Sequence, residues 1–482
     1  MIGSPQKDSA APADACAFEP GAVPDSVDPR LADFKVLLPL RGEATLLLRL
    51  PGARRYVAAL ERDGVEAVAA RIDGGGTRFD VVVTDDAADA ERVEAGGSLL
   101  LVGSSGVGVP PSFELVGKFL ALPEWPGFRF LIPADGRYCR GALSDLRPVP
   151  AARVWSLAPL SFARRAAACL RLSRRGPAQP SLLARAGAAL GVDLESGAGS
   201  PSVYSGRLGE GNPIVCFLPD TSGRLERVIK IARYPGVRQL AEEVGKIDEV
   251  LELAGPVAGR RVVAPAARGS VGERSVLLYD FERTDAFYGP FWRFGGRRRF
   301  LQAAGEWLAE LARHSRTALG VEDHRATHVS PLKRLIDAER LPADLEPEAR
   351  SARRSLLEAG AKKITVLEHG DLGIYNARLV DRSTGDFRVI DWGSSTSRGV
   401  ALGDLVYLAV SAGCTAHLGV RIVSKYLRSL GLEELGRALW MSYVARRWEE
   451  LDEVRGVDPA NPESGGGALL EIARRGLSLV GG

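Results

Sequence analysis

The stretch LEHGDLGIYNARLVDRSTGDFRVIDWGSS, residues 367–395, gathers His369, Asp371, Asn376 and Asp391 within a chain that has five histidines in all. ITVLEHGD reads as a β run ending at Asp371, and NARLV and FRVID read as strands joined by the turn-rich DRSTGD. Such a hairpin places Asp371 and Asn376 on the loop before one strand and Asp391 at the end of the returning strand. Three oxygen-bearing side chains then converge. Asn376 and Asp391 supply hard oxygen ligands of the kind Mg²⁺ takes when phosphates complete its octahedron. Asp371 is left to accept or orient a hydroxyl proton. Phosphoryl transfer asks little more of a protein than an aligned nucleophile, neutralised phosphate oxygens and exclusion of water.

HGDLGIYN, with Asp371 and Asn376 five positions apart, followed by IDWG, resembles the aminoglycoside phosphotransferase family of the protein-kinase-like superfamily. The resemblance extends over about residues 200–482 and includes GVALGDLVYLA, similar to the G-x-x-x-x-D-L element of that family. It implies that Asp371 is catalytic and that Asn376 and Asp391 hold Mg²⁺. It further implies that His369 and Asp404 support the catalytic loop from behind, Asp404 also capping a helix. The co-substrate is ATP or GTP, with the choice open.

A small sheet with a phosphate-holding lysine must come before this loop. SGRLGEGNPIVCFL sets Gly206, Gly209 and Gly211 between strand-like runs, where backbone N–H groups can approach phosphates without a Cβ in the way. LERVIKIAR buries Lys230 in an apolar strand that resembles the V-A-I-K strand of kinases. On the next helix Glu243 shares a face with Ile247, Val250 and Leu251, so it is favoured as the partner of Lys230, with Glu242 one step round and still open. RSVLLYDFERT then leads into an interlobe hinge. By analogy with related kinases, backbone groups of Leu278, Tyr279, Asp280 and Phe281 are nominated to hold the base.

The acceptor is less legible. Family members phosphorylate aminoglycosides, choline, homoserine and sugars, so a small hydroxylated molecule is expected. Tyr375 and Trp392 are faintly similar to a variant near bacterial surface-glycan biosynthesis and tilt the reading toward a sugar or related metabolite. The aromatic run Phe281–Phe294 is a candidate lining. GVEDHRATHVS, with Glu322, Asp323, His324 and His328, is read as an exposed loop that could hold an amino sugar.

Wider patterning supplies the frame. At 482 residues the chain is expected to form two or three domains, and its 63 basic against 60 acidic residues leave no field that recommends nucleic acid. Arg297-Arg298-Arg299 is read as a solvated helix start. Five scattered cysteines suit a reducing compartment. With neither a signal-type opening nor a membrane-length apolar run, a cytoplasmic location is expected; Leu405–Val423 reads as one buried helix.

The domain expectations are a disordered lead-in (1–32), a Rossmann-like α/β domain (33–150), a helical connector (151–200), a kinase-like N-lobe (201–282) and a helical C-lobe (283–482). The fold class is thus α/β plus α+β. FDVVVTDD followed by EAGGSLLLVGSSG faintly resembles the middle of a class I methyltransferase sheet, with Asp85 and Asp86 forming a strand-end turn. The Gly-rich turn that would cradle an adenosyl cofactor is missing, Gly52 standing alone, so the domain is expected to be degenerate. The competing readings are a non-catalytic nucleotide-binding protein and a bifunctional enzyme led by the first domain.

Overall fold

The computed structural model describes residues 29–482 except 41–43, 51–52, 62–64, 66, 70–76, 104–107, 123–129, 136, 140–141, 143–167, 177–178, 195–199, 206–210, 260, 284–294, 340, 360–362, 451–464 and 481–482. The chain divides into two compact units, Met1–Cys139 with Pro159–Glu210, and Arg140–Ala158 with Gly211–Gly482.

The first unit is built on a sheet. Strands β1 (Leu46–Arg49), β2 (Ala67–Ala69), β3 (Phe79–Thr84) and β4 (Val93–Gly103) are parallel in the order β2-β1-β3-β4. Parallel strands are covered on both faces and read as unbroken apolar runs. Leu46–Leu48, Val81–Val83 and Leu99–Leu101 are accordingly buried. Strands β5 (Glu114–Leu122), β6 (Phe130–Pro133), β7 (Ala168–Arg174) and β8 (Ser202–Tyr204) continue the sheet antiparallel, β4 pairing with β7, β7 with β5, β5 with β6 and β6 with β8. An all-parallel sheet is therefore only half of what forms.

Segment 151–200, expected as a helical connector, instead contributes the interior strand β7. Its Ala, Arg and Leu favour a helix intrinsically, but pairing with β4 and β5 decides the outcome. A helix follows only at Leu182–Ala189. Most of the expected lead-in lies outside the described residues; Pro29–Leu37 forms a 3₁₀ helix with Phe34 and Val36 buried. Asp86 closes the turn after β3, its side chain accepting the Ala88 N–H at 2.9 Å.

The second unit has the two-lobed layout that the resemblance implied. In its first lobe β9 (Ile214–Pro219), β10 (Leu225–Ile231), β11 (Ala267–Val271) and β12 (Arg274–Asp280) form an antiparallel sheet in the order β9-β10-β12-β11. The helix Gln239–Ala254 packs beside it, with Leu240 meeting Leu277 and Tyr279.

The second lobe is mainly helical. Helix Gly296–Ser315 buries Leu301, Ala304, Leu308 and Leu311, the stripe its periodicity predicts. Each such leucine contributes roughly 1.5–3 kcal/mol by leaving water. Of the basic run at its start, Arg298 and Arg299 are exposed, while Arg297 reaches the Gly413 carbonyl. Two short sheets lie in this lobe: β13 (Thr317–Ala318), β14 (Ile364–Glu368) and β17 (Thr396–Gly399), and the hairpin β15 (Ala377–Asp381) with β16 (Asp386–Val389).

Leu405–Val423 is not one helix. Gly413, at φ +64°, breaks it, so Gly403–Ser411 and Ala416–Leu430 are separate. Nor is GVEDHRATHVS an exposed loop. Val321–His324 is helical, Arg325–Val329 forms a π turn, and both histidines are buried. Among the described residues no helix is long and apolar enough to cross a membrane.

Candidate active site

Strand β14 delivers the chain to a tight loop. Gly370 adopts φ +80°, and a Cβ there would come within 2.5 Å of the Ser394 carbonyl oxygen, so only glycine lets the loop lie against the following turn. His369 stands at the centre. Its Nε2 lies 2.9 Å from the Ile390 carbonyl and its Nδ1 accepts the Asp371 N–H at 3.2 Å. A carbonyl only accepts and an amide N–H only donates, so the ring is neutral with its proton on Nε2. Burial, pushing the His369 pKa down, agrees. The imidazole therefore joins the loop of Asp371 to the strand end before Asp391.

Asp404 braces the loop from behind. Its two oxygens accept the backbone N–H groups of His369 at 2.6 Å and Gly370 at 3.1 Å. Burial, and then the neighbouring Glu368, push its carboxyl pKa up, while these two bonds favour the charged form. The expected bracing is present, but the expected helix cap is not. Leu402 occupies the cap position of Gly403–Ser411 with no side-chain bond.

Asn376 Nδ2 donates to the Asp371 carbonyl at 2.8 Å and lies 3.5 Å from its carboxylate. That use of the amide nitrogen turns the amide oxygen, the group's acceptor, away from the Asp371 carbonyl. Ile390 N–H bonds the Asn376 carbonyl at 2.9 Å, which ties the two ends of the hairpin together. Asp391 has φ +67° and ψ +56°, left-handed backbone that a non-glycine residue enters at a cost of roughly 1–2 kcal/mol.

From β10 of the first lobe Lys230 Nζ donates to Glu243 Oε1 at 2.6 Å and to Asp391 Oδ1 at 2.9 Å. Burial opposes the ammonium charge, but Asp391 and Glu243 more than offset it and its pKa rises. Glu243 is buried and Glu242 exposed, which settles the geometric choice between them. Tyr279 O–H donates to the same Glu243 oxygen at 3.0 Å.

The nominated hinge residues close β12 and follow it. The Leu278 carbonyl accepts Ala266 N–H at 2.7 Å and Phe281 N–H donates to the Glu226 carbonyl at 2.8 Å. Two of their backbone groups are thus committed to the sheet. Gly211 is pressed so closely on Gln239 that a Cβ would overlap its side chain. Gly206, Gly209 and the aromatics beyond Phe281 lie outside the described residues.

Among the described residues no three His, Cys, Asp or Glu side chains are grouped to hold a metal unaided. Two protein oxygens, from Asn376 and Asp391, suit a hard cation whose remaining sites are filled by phosphates and water.

Some contributors escape sequence reasoning. Lys246 Nζ donates to the Gly393 carbonyl at 2.6 Å, and Ser411 Oγ accepts the Ile374 N–H at 3.0 Å. Arg447 bonds Glu450, and although burial works against its charge, Tyr443, Glu450 and Asp371 raise its pKa. Nothing in the spacing of these residues signals the site. His324 and His328 are core residues: His324 Nε2 reaches the Leu356 carbonyl at 2.8 Å, and His328 contacts the Ile364 carbonyl at 3.1 Å and Ser442 at 3.3 Å.

The GDP complex of wild-type aminoglycoside 2'-phosphotransferase-IIIa is similar to this chain at 17% identity, covering 59% of this chain and 94% of that one, with a TM-score of 0.40. An apo thermostable mutant of aminoglycoside phosphotransferase APH(4)-Ia gives 13% identity, 59% and 94% coverage and 0.37. Aminoglycoside phosphotransferase APH(3'')-Id from Streptomyces rimosus gives 17%, 49% and 93%, and 0.32. No curated protein matches the chain. The phosphotransferase enzyme family matches residues 208–455, more than half of the sequence, and it is to this family that the chain belongs.

Proposed function

We propose that this protein transfers the γ-phosphoryl group of ATP or GTP to a hydroxyl of a small molecule, a sugar, aminoglycoside or related metabolite. The observation that carries this reading is the 2.9 Å contact between Lys230 and Asp391, which brings a cation of one lobe to the hairpin of the other, where Asn376 adjoins Asp371. Asp371 holds the acceptor hydroxyl in line and takes its proton as the acceptor oxygen bonds to phosphorus. The bond between phosphorus and the bridging oxygen breaks, and nucleoside diphosphate leaves. Lys230, oriented by Glu243 and Tyr279, binds the donor phosphates. Asn376 and Asp391 would hold Mg²⁺, which supplies neutralisation of charge on the transferred group. The base lies against the end of β12 and Phe281, within the Leu278–Phe281 stretch nominated for it.

Purified protein is to be assayed with γ-labelled ATP and GTP against sugars, amino alcohols and aminoglycosides. Asp371→Ala is expected to bind nucleotide in Mg²⁺ within about twofold of wild type while transfer falls at least about 10³-fold. Undiminished transfer would refute the role of Asp371. Nucleotide binding without transfer to any acceptor class would favour the non-catalytic reading.

A further inference from the structure

We infer that Lys246 is a positioning residue that fastens the Asp391–Gly393 turn to the helix carrying Glu243; this rests on the phosphotransferase reading above. Lys246 lies three residues beyond Glu243 on Gln239–Ala254, so the two side chains leave the same face of the helix. They act on one short stretch by different routes. Glu243 reaches Asp391 through Lys230, whereas Lys246 bonds the backbone carbonyl of Gly393 directly at 2.6 Å. The helix lies close to that glycine, since a Cβ on Gly393 would stand 3.9 Å from Glu243 Cγ.

Among the described residues the Lys246 ammonium has this carbonyl as its hydrogen-bond partner and no carboxylate within ion-pair distance. The bond is charge-assisted and half-buried, and such bonds are about twice as strong as neutral ones. It falls where the backbone needs restraint. Asp391 is held left-handed, and the turn after it is otherwise fixed by Ser395 N–H to the Trp392 carbonyl at 3.0 Å and by Trp392 Nε1 to the Val389 carbonyl at 3.2 Å. Both of those bonds are local. Lys246 supplies a long-range restraint that sets the turn, and with it the Asp391 carboxylate, relative to the other lobe.

The test is calorimetric titration of the full chain with ATP and with GTP, across a series of MgCl₂ concentrations and in EDTA. Lys246→Met keeps the apolar stem and removes the donor. It is expected to raise the Mg²⁺ concentration for half-maximal nucleotide binding about tenfold, with binding in EDTA held within about twofold. Lys246→Arg, which restores a donor, should recover most of the loss. The inference is overturned if the methionine variant keeps wild-type Mg²⁺ dependence, if its binding in EDTA weakens equally, or if arginine does no better than methionine. Asp391→Ala separates the two readings. If it alters the Mg²⁺ dependence while Lys246→Met does not, only the role of Lys246 falls. If Asp391→Ala is also silent, the metal assignment falls with it.

Discussion

Among the described residues only Glu339, Asp391 and Leu402 are non-glycine residues at positive φ, and two of these three lie at the candidate site, Asp391 itself and Leu402 two residues before Asp404. Aspartate tolerates the left-handed region better than most residues, so strain at Asp391 is modest and is held by its surroundings. Gly370 has no such latitude, being at φ +80° and in contact range of a backbone oxygen that cannot move aside as a side chain can. Gly370→Ala should lower stability by about 1–3 kcal/mol in chemical denaturation and depress transfer more than nucleotide binding, because loop and turn are forced apart. Equal stability in the two proteins would contradict the geometry. The groups legible in the sequence at this scale were those close together in it, Asp371, Asn376 and Asp391. The role of the Tyr279 hydroxyl and that of Lys246 were not, since their bonds to Glu243 and Gly393 cross 36 and 147 positions and leave no local pattern.

At the scale of elements, the loop that carries Asp371 hangs from a helix. Both Asp404 oxygens accept from the loop backbone, so Asp404→Asn replaces one acceptor by an N–H₂ that cannot serve. One buried backbone N–H is left unpaired, at roughly 1–3 kcal/mol of stability. We expect kcat to fall about 10- to 100-fold while nucleotide affinity changes less than about threefold; a change confined to affinity would place Asp404 elsewhere in the mechanism. Strands β9, β10 and β12 and the β15–β16 hairpin were readable because period-two alternation and turn residues coincide there. Strand β7 was not, since its helix-favouring composition yields only to partners that sequence does not display. The His324–His328 segment was misread for the converse reason. Polar residues marked it as surface, yet carbonyls and a serine from distant elements satisfy its rings.

For the whole molecule the same two histidines set an acid limit. Burial, and then the neighbouring His324, push the His328 pKa down to about 4, and burial lowers that of His324 as well. A histidine depressed in the folded state binds its proton more readily when unfolded. Its stabilising contribution is therefore complete above pH about 6.5 and is lost progressively as pH falls toward about 4. Between pH 7.5 and 5 the loss from His328 should be about 2 kcal/mol, read as the difference in denaturant stability between wild type and His328→Gln. Parallel profiles for the two proteins would remove His328 as the cause.

Helix Gly403–Ser411 can begin where it does only because Gly403 lacks a side chain, for a Cβ would stand 2.2 Å from the Tyr443 ring. Tyr443 thus fixes the height of Asp404, and Asp404 that of the loop carrying Asp371. A shift of the Tyr443 ring would therefore bear on the loop that carries Asp371. Inherited changes around Tyr443 should surface as sluggish turnover well before they surface as a fragile protein.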